Sequence, residues 1–222
     1  AWDSSQDGPR PGVLVVHEWW GCNEYAQRRA RMLAEAGYTG MAIDLYGDGI
    51  TAANPDDAGA LMNARIDDMD GTRARFMAAL DTLITHDTVD ENRTGAIGYC
   101  FGGGVVTHMA RMGAPLDVTG SFHGAVGLAA VDGPDQIDCR IMVYNGEADV
   151  LIDEGQISGF KAQMEKTGAN YDFIQLPGAL HGFSNPMATA NGQKYGLPLA
   201  YNELADESSW AHLRLTMEHV FA

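Results

Sequence analysis

Four side chains in this sequence, Glu18, Cys100, Asp149 and His181, have the types and the setting that acyl-transfer chemistry requires. Cys100 is the central one. It lies in Gly98-Tyr99-Cys100-Phe101-Gly102, continued by Gly103 and Gly104, between an apolar run ending at Ile97 and a helix-like stretch over residues 105–111. Glycine two residues before and two after the apex removes Cβ atoms that would collide with neighbouring backbone in a sharp strand-to-helix turn, so the apex thiol is pushed outward. The N–H groups that open the next helix then offer partial positive charge to a developing oxyanion. Two plainer readings compete with this one. A glycine-rich turn can cradle a phosphate, but no Lys-Ser/Thr follows these glycines, and Tyr99 and Phe101 are bulky. A free cysteine can also be an inert core thiol.

A thiol of ordinary pKa, about 8.5, is only a few per cent thiolate at neutral pH, so a nucleophilic cysteine needs a base. His181 is the best candidate, because the G-x-Ser-x-G elbow of α/β-hydrolases is followed first by an acid and then by a histidine. Cys100, Asp149 and His181 obey that order. His17, His86, His108 and His123 precede the acid, and His212 and His219 fall in the closing helix. Asp149, a short turn beyond Ile141-Met142-Val143-Tyr144, would hold the imidazole in one tautomer and stabilise its cation. Its rival is Asp153, which with Glu154 also suits a solvated helix start. One oxyanion donor is expected from the N–H of Phe101 and another from the loop after the first strand, where Trp19 is the natural choice. This triad leaves Glu18 without a role, and a loop salt bridge is its plainer reading.

These residues need elements to hold them. Val13-Leu14-Val15-Val16 is a continuous apolar run of the kind buried on both faces of a sheet. His17-Glu18-Trp19-Trp20-Gly21-Cys22 follows, then Asn23 as an N-cap for a helix over residues 24–36. A short strand at Met41-Ala42-Ile43 comes next, then helix in two pieces over residues 55–85, broken near Asp70-Gly71. Beyond the elbow, strands are expected over 118–125, 141–144 and 171–176, and helices over 155–167 and 205–221. Residues 184–204 read as one long loop containing Tyr195, Tyr201 and Asn202, and loops of that length are usually functional or disordered. Alternating strands and helices argue for an α/β fold with a mostly parallel central sheet and helices on both faces, as one domain over residues 1–222. Glu18, Cys100, Asp149 and His181 each fall just after a strand, and ligands in such sheets bind at the carboxyl ends of strands.

Composition narrows the partners. The formal net charge is −16, with lysine only at positions 161, 166 and 194, so nothing basic is available to neutralise the phosphates of nucleic acid or an anionic membrane. An acidic, lysine-poor surface suits a salt-adapted organism, and an ordinary solvated surface equally well. Cys22, Cys100 and Cys139 show neither metal spacing nor a disulfide framework, which favours a reducing, cytoplasmic setting. No apolar run reaches the roughly 18 residues a transmembrane helix needs.

The motifs together resemble a known family. His17-Glu18-Trp19-Trp20-Gly21, Asp44-Leu45-Tyr46-Gly47, Gly98-Tyr99-Cys100-Phe101-Gly102-Gly103, Gly146-Glu147-Ala148-Asp149 and His181-Gly182-Phe183 look like the dienelactone hydrolase (carboxymethylenebutenolidase) family, in order over nearly the whole chain. The resemblance implies an α/β-hydrolase fold, no metal or organic cofactor, and hydrolysis of a small ester or lactone through an acyl-enzyme on Cys100. It also implies that Glu18 pairs with the nucleophilic thiol and helps form the thiolate when substrate arrives. Two departures stand out. Enzymes acting on dienelactone hold the substrate carboxylate with arginines, one of them a few residues after the catalytic histidine, and residues 182–186 supply none; Arg65 is the nearest candidate from the middle helices. Family members also carry a strand pair before the one at Val13, for which residues 1–12 are too short. Tyr99, Trp20 and Tyr201 are candidate pocket residues, with aromatic packing as the alternative for Tyr99 and Trp20. The expected partner is a small molecule, and the expected state is a monomer or small homo-oligomer. Rival readings are a general carboxylesterase or thioesterase of the same fold, and a catalytically silent binding protein.

Overall fold

A computed structural model describes residues 1–5 and 7–222. Six strands form one parallel sheet in the order β2-β1-β3-β4-β5-β6, with β1 Arg10–Val16, β2 Thr39–Ile43, β3 Val89–Tyr99, β4 Val118–Phe122, β5 Arg140–Gly146 and β6 Tyr171–Leu176. Parallel strands need crossovers, and helices supply them: α1 Glu24–Glu35, α2 Pro55–Ile66, α3 Met69–Ile84, α4 Phe101–Arg111, α5 Glu154–Lys166, α6 Ala188–Tyr195 and α7 Glu203–Val220. β1 shows why its apolar run is continuous. Val13 and Val15 pack with Ala26, Ala30 and Leu33 of α1 and Leu213 and Met217 of α7 on one face. Leu14 and Val16 pack with Phe76 and Leu80 of α3 and Val105 and Met109 of α4 on the other. All four β1 residues are fully buried. Among the described residues no helix is long and apolar enough to cross a membrane.

Several expected elements differ from the structure; the strand expected over 118–125, for one, ends at Phe122. The break between α2 and α3 falls at Asp67 and Asp68, not at Asp70-Gly71, because Asp68 caps α3 by accepting the Gly71 N–H at 3.0 Å. Gly71 thus belongs to the first helical turn. The elbow strand starts earlier than its apolar run: polar Asp90 pairs with Pro11, and an irregularity between Pro11 and Gly12 brings Thr94 opposite Gly12. Residues 184–204 are not one loop, since α6 lies within them. Its sequence, Ala-Thr-Ala-Asn-Gly-Gln-Lys-Tyr, carries no apolar period, and tertiary packing holds it: a Cβ on Gly192 would lie 2.4 Å from the Leu199 carbonyl oxygen. Gly196, at φ +67°, ends the helix in the left-handed conformation.

Glycine spacing at the elbow is a steric requirement. A Cβ on Gly98 would meet the Gly102 carbonyl oxygen at 2.1 Å, and one on Gly102 would meet the Val16 carbonyl oxygen at 2.4 Å. Gly59, in α2, has nothing within 4 Å of its would-be Cβ. Gly102→Ala is therefore expected to destabilise the protein by about 2–3 kcal/mol or more through overpacking. Gly59→Ala is expected to stabilise it by about 0.5–1 kcal/mol through helix propensity. Paired thermal melts check both signs, and equal melting temperatures for the two variants would refute the steric account.

Candidate active site

Cys100 occupies the turn between β3 and α4 with φ +55° and ψ −117°. That backbone is strained for a residue with a Cβ, and such outliers cost about 1–3 kcal/mol and persist only where the surroundings over-determine them. Here they do. The Cys100 N–H donates to the Phe122 carbonyl at 3.0 Å, and its own carbonyl accepts the N–H groups of Gly104 and Ala125, each at 3.2 Å. The side chain of Cys100 makes no cap to α4, and the thiol opens onto a cavity. Phe101 is the first helical residue, and among the described residues its N–H has no protein acceptor.

Asp149 and His181 meet at the same edge. Asp149 follows β5; its Oδ1 accepts the Leu151 N–H at 2.9 Å and its Oδ2 accepts from His181 Nδ1 at 2.8 Å. Both residues are buried. Burial opposes a charge on His181, but the sulfur of Cys100 and the carboxylate of Asp149 outweigh it, and the imidazole pKa is raised. With Nδ1 engaged by Asp149, Nε2 is the nitrogen left for the cavity that His181 and Cys100 share. The rival Asp153 is the N-cap of α5, accepting the Gln156 N–H at 2.8 Å. His212 is taken up by the Tyr144 hydroxyl at 3.1 Å.

Glu18 follows β1 and is 5% exposed. Its Oε2 accepts from Asn185 Nδ2 at 2.6 Å. Burial is the largest influence on it and raises its pKa to about 7, against the opposing pull of Asn185, His181 and Arg29. Its hydrogen-bond partner among the described residues is thus Asn185. Sequence reasoning passed over Asn185, which has no motif of its own and stands only a turn beyond His181. Behind the site lies a buried polar group equally illegible in sequence. His123 Nε2 and the Tyr25 hydroxyl both meet Ser184 Oγ at 2.7 Å, while Arg29 donates to the Ser184 carbonyl at 2.6 Å and pairs with Asp206. His123, pushed well below the ordinary histidine pKa by burial and by the neighbouring His181 and Arg29, is neutral and sets its ring edgewise to His181 at 5.2 Å.

The cavity has a volume of about 270 Å³ and is lined by Glu18, Cys100, His181 and Asn185 on one side and by Trp19, Trp20, Met62, Leu151, Ile152, Leu197 and Leu199 elsewhere. No lysine or arginine lines it, Arg65 included. A second, more open hollow shares Trp20, Asn185 and Asn191 with it and contains Arg28. Trp20 thus borders both spaces. Tyr99 lines neither; it is fully buried, stacked on Phe122 at 4.9 Å and beneath the Arg29 guanidinium, because its side of β3 faces α1 and α7. Tyr201 also lines neither, and its N–H is bound by Thr189 Oγ1. Asn202 caps α7, whereas Tyr195 borders the outer hollow and donates to the Ala53 carbonyl at 3.0 Å. Among the described residues no group of three or more His, Cys, Asp or Glu side chains is arranged to hold a metal.

Comparison with known proteins bears on the fold and the family. The structure superposes on a dienelactone hydrolase-like promiscuous phosphotriesterase from metagenomic libraries with a TM-score of 0.90 and 31% identity, covering 100% of this chain and 91% of that one. A protein designated m3DLH gives a TM-score of 0.92 and 34% identity over the same shares. Among curated proteins, "Protein usf" of Aquifex pyrophilus is 28% identical over 180 residues, 79% of this chain and 77% of its own. The model of the dienelactone hydrolase family matches residues 2–221, and the chain belongs to that family of hydrolases.

Proposed function

We propose that the protein hydrolyses small, uncharged carboxylic esters or lactones through a thioester on Cys100. The observation that carries this reading is the meeting of the elbow thiol and the Asp149–His181 pair on one apolar cavity. His181 Nε2 takes the thiol proton as Sγ attacks the carbonyl carbon, whose electron pair moves onto oxygen and is held by the N–H groups of Phe101 and Trp19. Collapse breaks the C–O bond, and the leaving alkoxide takes the proton back from His181. Water, deprotonated by the same imidazole, then attacks the thioester carbonyl; the C–S bond breaks, the acid is released, and the sulfur takes back the proton from His181. Asp149 keeps Nδ1 protonated and steadies the imidazolium. Glu18, close to the sulfur's cavity and of raised pKa, is placed to influence how readily the thiol ionises.

The lining supports the uncharged class. A substrate carboxylate in the inner cavity would meet no lysine or arginine among the described residues and one buried acid, Glu18. Of these two spaces, among the described residues, the outer hollow alone is lined by a guanidinium, that of Arg28. Neutral phosphotriesters form a second candidate class, favoured by the same lining and by the likeness to a promiscuous phosphotriesterase.

Steady-state rates on p-nitrophenyl acetate, a dienelactone carrying a free carboxylate, and diethyl p-nitrophenyl phosphate test the reading. Cys100→Ala is expected to lower ester turnover by at least about 10³-fold, and wild type is expected to prefer the neutral ester over the carboxylated lactone. Full activity in Cys100→Ala would end the thioester mechanism; preference for the carboxylated lactone would end the uncharged-substrate reading while leaving the mechanism intact.

Glu18 yields a stability prediction with a definite sign. Its pKa rises from 4.5 to about 7 on folding, so between those values the folded state holds a proton the unfolded chain has lost, and stability falls as pH rises through that window. Above it the buried charge costs about 3 kcal/mol. Glu18→Gln should therefore raise the melting temperature by several degrees at pH 8 and change it little at pH 4.5. A gain of equal size at both pH values would show that burial of the charge is not what Glu18 contributes.

A further inference from the structure

We infer that His17 is a positioning residue, assisted by Tyr46, which fixes the direction of the Trp19 N–H toward the reacting oxygen. The inference deepens the proposed mechanism and rests on Cys100 as nucleophile. His17 is fully buried at the end of β1, outside the triad. Its two ring nitrogens have assignable roles. The Leu45 N–H can only donate, and it meets Nε2 at 3.2 Å, so Nε2 carries the lone pair. Nδ1 therefore bears the hydrogen, and it donates to the Glu18 carbonyl oxygen at 2.5 Å. Burial pushes the His17 pKa below the ordinary value and keeps the ring in this neutral form.

The next step is covalent geometry. Among the described residues there is no cis peptide bond, and in a planar trans peptide the C=O and N–H point to opposite sides. The Glu18–Trp19 peptide has its oxygen held on one side by His17 Nδ1 and by the Gly21 N–H at 3.2 Å. Its N–H, that of Trp19, is directed the other way and has no protein acceptor among the described residues. Trp19 lines the cavity onto which Cys100 opens. The following peptide is held too, because the Tyr46 hydroxyl donates to the Trp19 carbonyl at 2.9 Å while the Tyr46 ring packs edgewise on His17 at 4.7 Å. His17 also reaches the other half of the oxyanion site. Its carbonyl accepts the Gly102 N–H at 3.1 Å, tying β1 to the turn that presents the Phe101 N–H. One residue thus sets the direction of one donor and its spacing from the second.

Loss of a single oxyanion donor costs on the order of 10²–10³ in kcat. His17→Phe keeps ring volume and removes both ring hydrogen bonds. His17→Gln restores one donor and one acceptor in a single amide. Three readouts on folded protein separate positioning from packing: kcat and KM on p-nitrophenyl acetate, inhibition by an alkyl trifluoromethyl ketone, which forms a tetrahedral oxyanion with a thiol, and alkylation of Cys100 by iodoacetamide, which forms none. For His17→Phe we expect kcat to fall about 10²-fold with KM within threefold, ketone inhibition to weaken by a similar factor, and the alkylation rate to stay within threefold. His17→Gln is expected to recover kcat to within about tenfold of wild type. Tyr46→Phe, which removes one hydroxyl, is expected to lower kcat and ketone affinity together by about five- to tenfold, and it carries the test if His17→Phe does not fold. Unchanged kcat and ketone affinity in folded His17→Phe, or in Tyr46→Phe should that variant alone fold, would overturn the inference. So would a parallel loss of alkylation, which marks general damage to the site. Full esterase activity in Cys100→Ala would instead overturn the nucleophile reading beneath it.

Discussion

The close approach of the first turn of α4 to the carboxyl end of β1 governs the rest of the site. It is possible because the residues at the contact have no Cβ: Gly102 sits where a side chain would strike the Val16 and His17 carbonyls, and Gly103 and Gly104 abut Gly124 and Ala125 in the same way. The approach lets the Gly102 N–H reach the His17 carbonyl at 3.1 Å, and it forces the chain at Cys100 into a left-handed turn. Strain at that residue is offset by three backbone hydrogen bonds from β4, α4 and the loop after β4. The thiol is thereby exposed by the same contact that brings the two strand-end loops together.

Charge inside the molecule is handled mostly by neutral partners. Glu18 is met by an amide, Asn185, whose hydrogen bond only partly offsets the rise in pKa that burial causes. His17 and His123 are kept neutral by burial. Besides the Asp149–His181 pair, an exception is Arg29, 2% exposed, which lies over the rings of Tyr25, Tyr99 and Trp210 and pairs with Asp206. A buried guanidinium needs its partners, since a lone buried charge costs several kcal/mol. Its field nonetheless reaches Glu18 and His123 and favours the ionised acid and the uncharged imidazole. The polar layer behind the cavity therefore tunes the groups in front of it without touching a substrate.

The parts of this arrangement that were legible in the sequence are those with a local cause. Glycine spacing announced the elbow, and β1 was plain as an apolar run between His17 and a polar start. Asn23 was readable as the cap of α1, where it accepts the Tyr25 N–H at 3.0 Å. Other features depend on partners far along the chain. Asn185 meets Glu18 across 167 residues, and Ser184 meets Tyr25 across 159, so neither could be read from a window of neighbours. Helix α6 has no apolar period because it is held by Gly192 against the Leu199 carbonyl and by Tyr195 on Ala53. Tyr99 illustrates the reverse error: next to the nucleophile in sequence, it is turned away from it because strand neighbours point to opposite faces.

Asn185 also bears on what the cavity accepts. An arginine in the segment after His181 would do two things at once: hold Glu18 ionised and attract a substrate carboxylate. A neutral amide does neither. It satisfies one oxygen of Glu18 while leaving burial free to raise the pKa, so the acid spends more of its time uncharged near pH 7. An anionic substrate would then enter a cavity lined by no lysine or arginine among the described residues, inside a protein of net charge −16. A neutral ester meets neither obstacle, and its apolar groups gain by leaving water for the surfaces of Trp19, Trp20, Leu197 and Leu199. Burial, only partly opposed by the Asn185 amide, weakens the charge on Glu18, and under the proposed reading the same apolar surroundings disfavour a charged substrate.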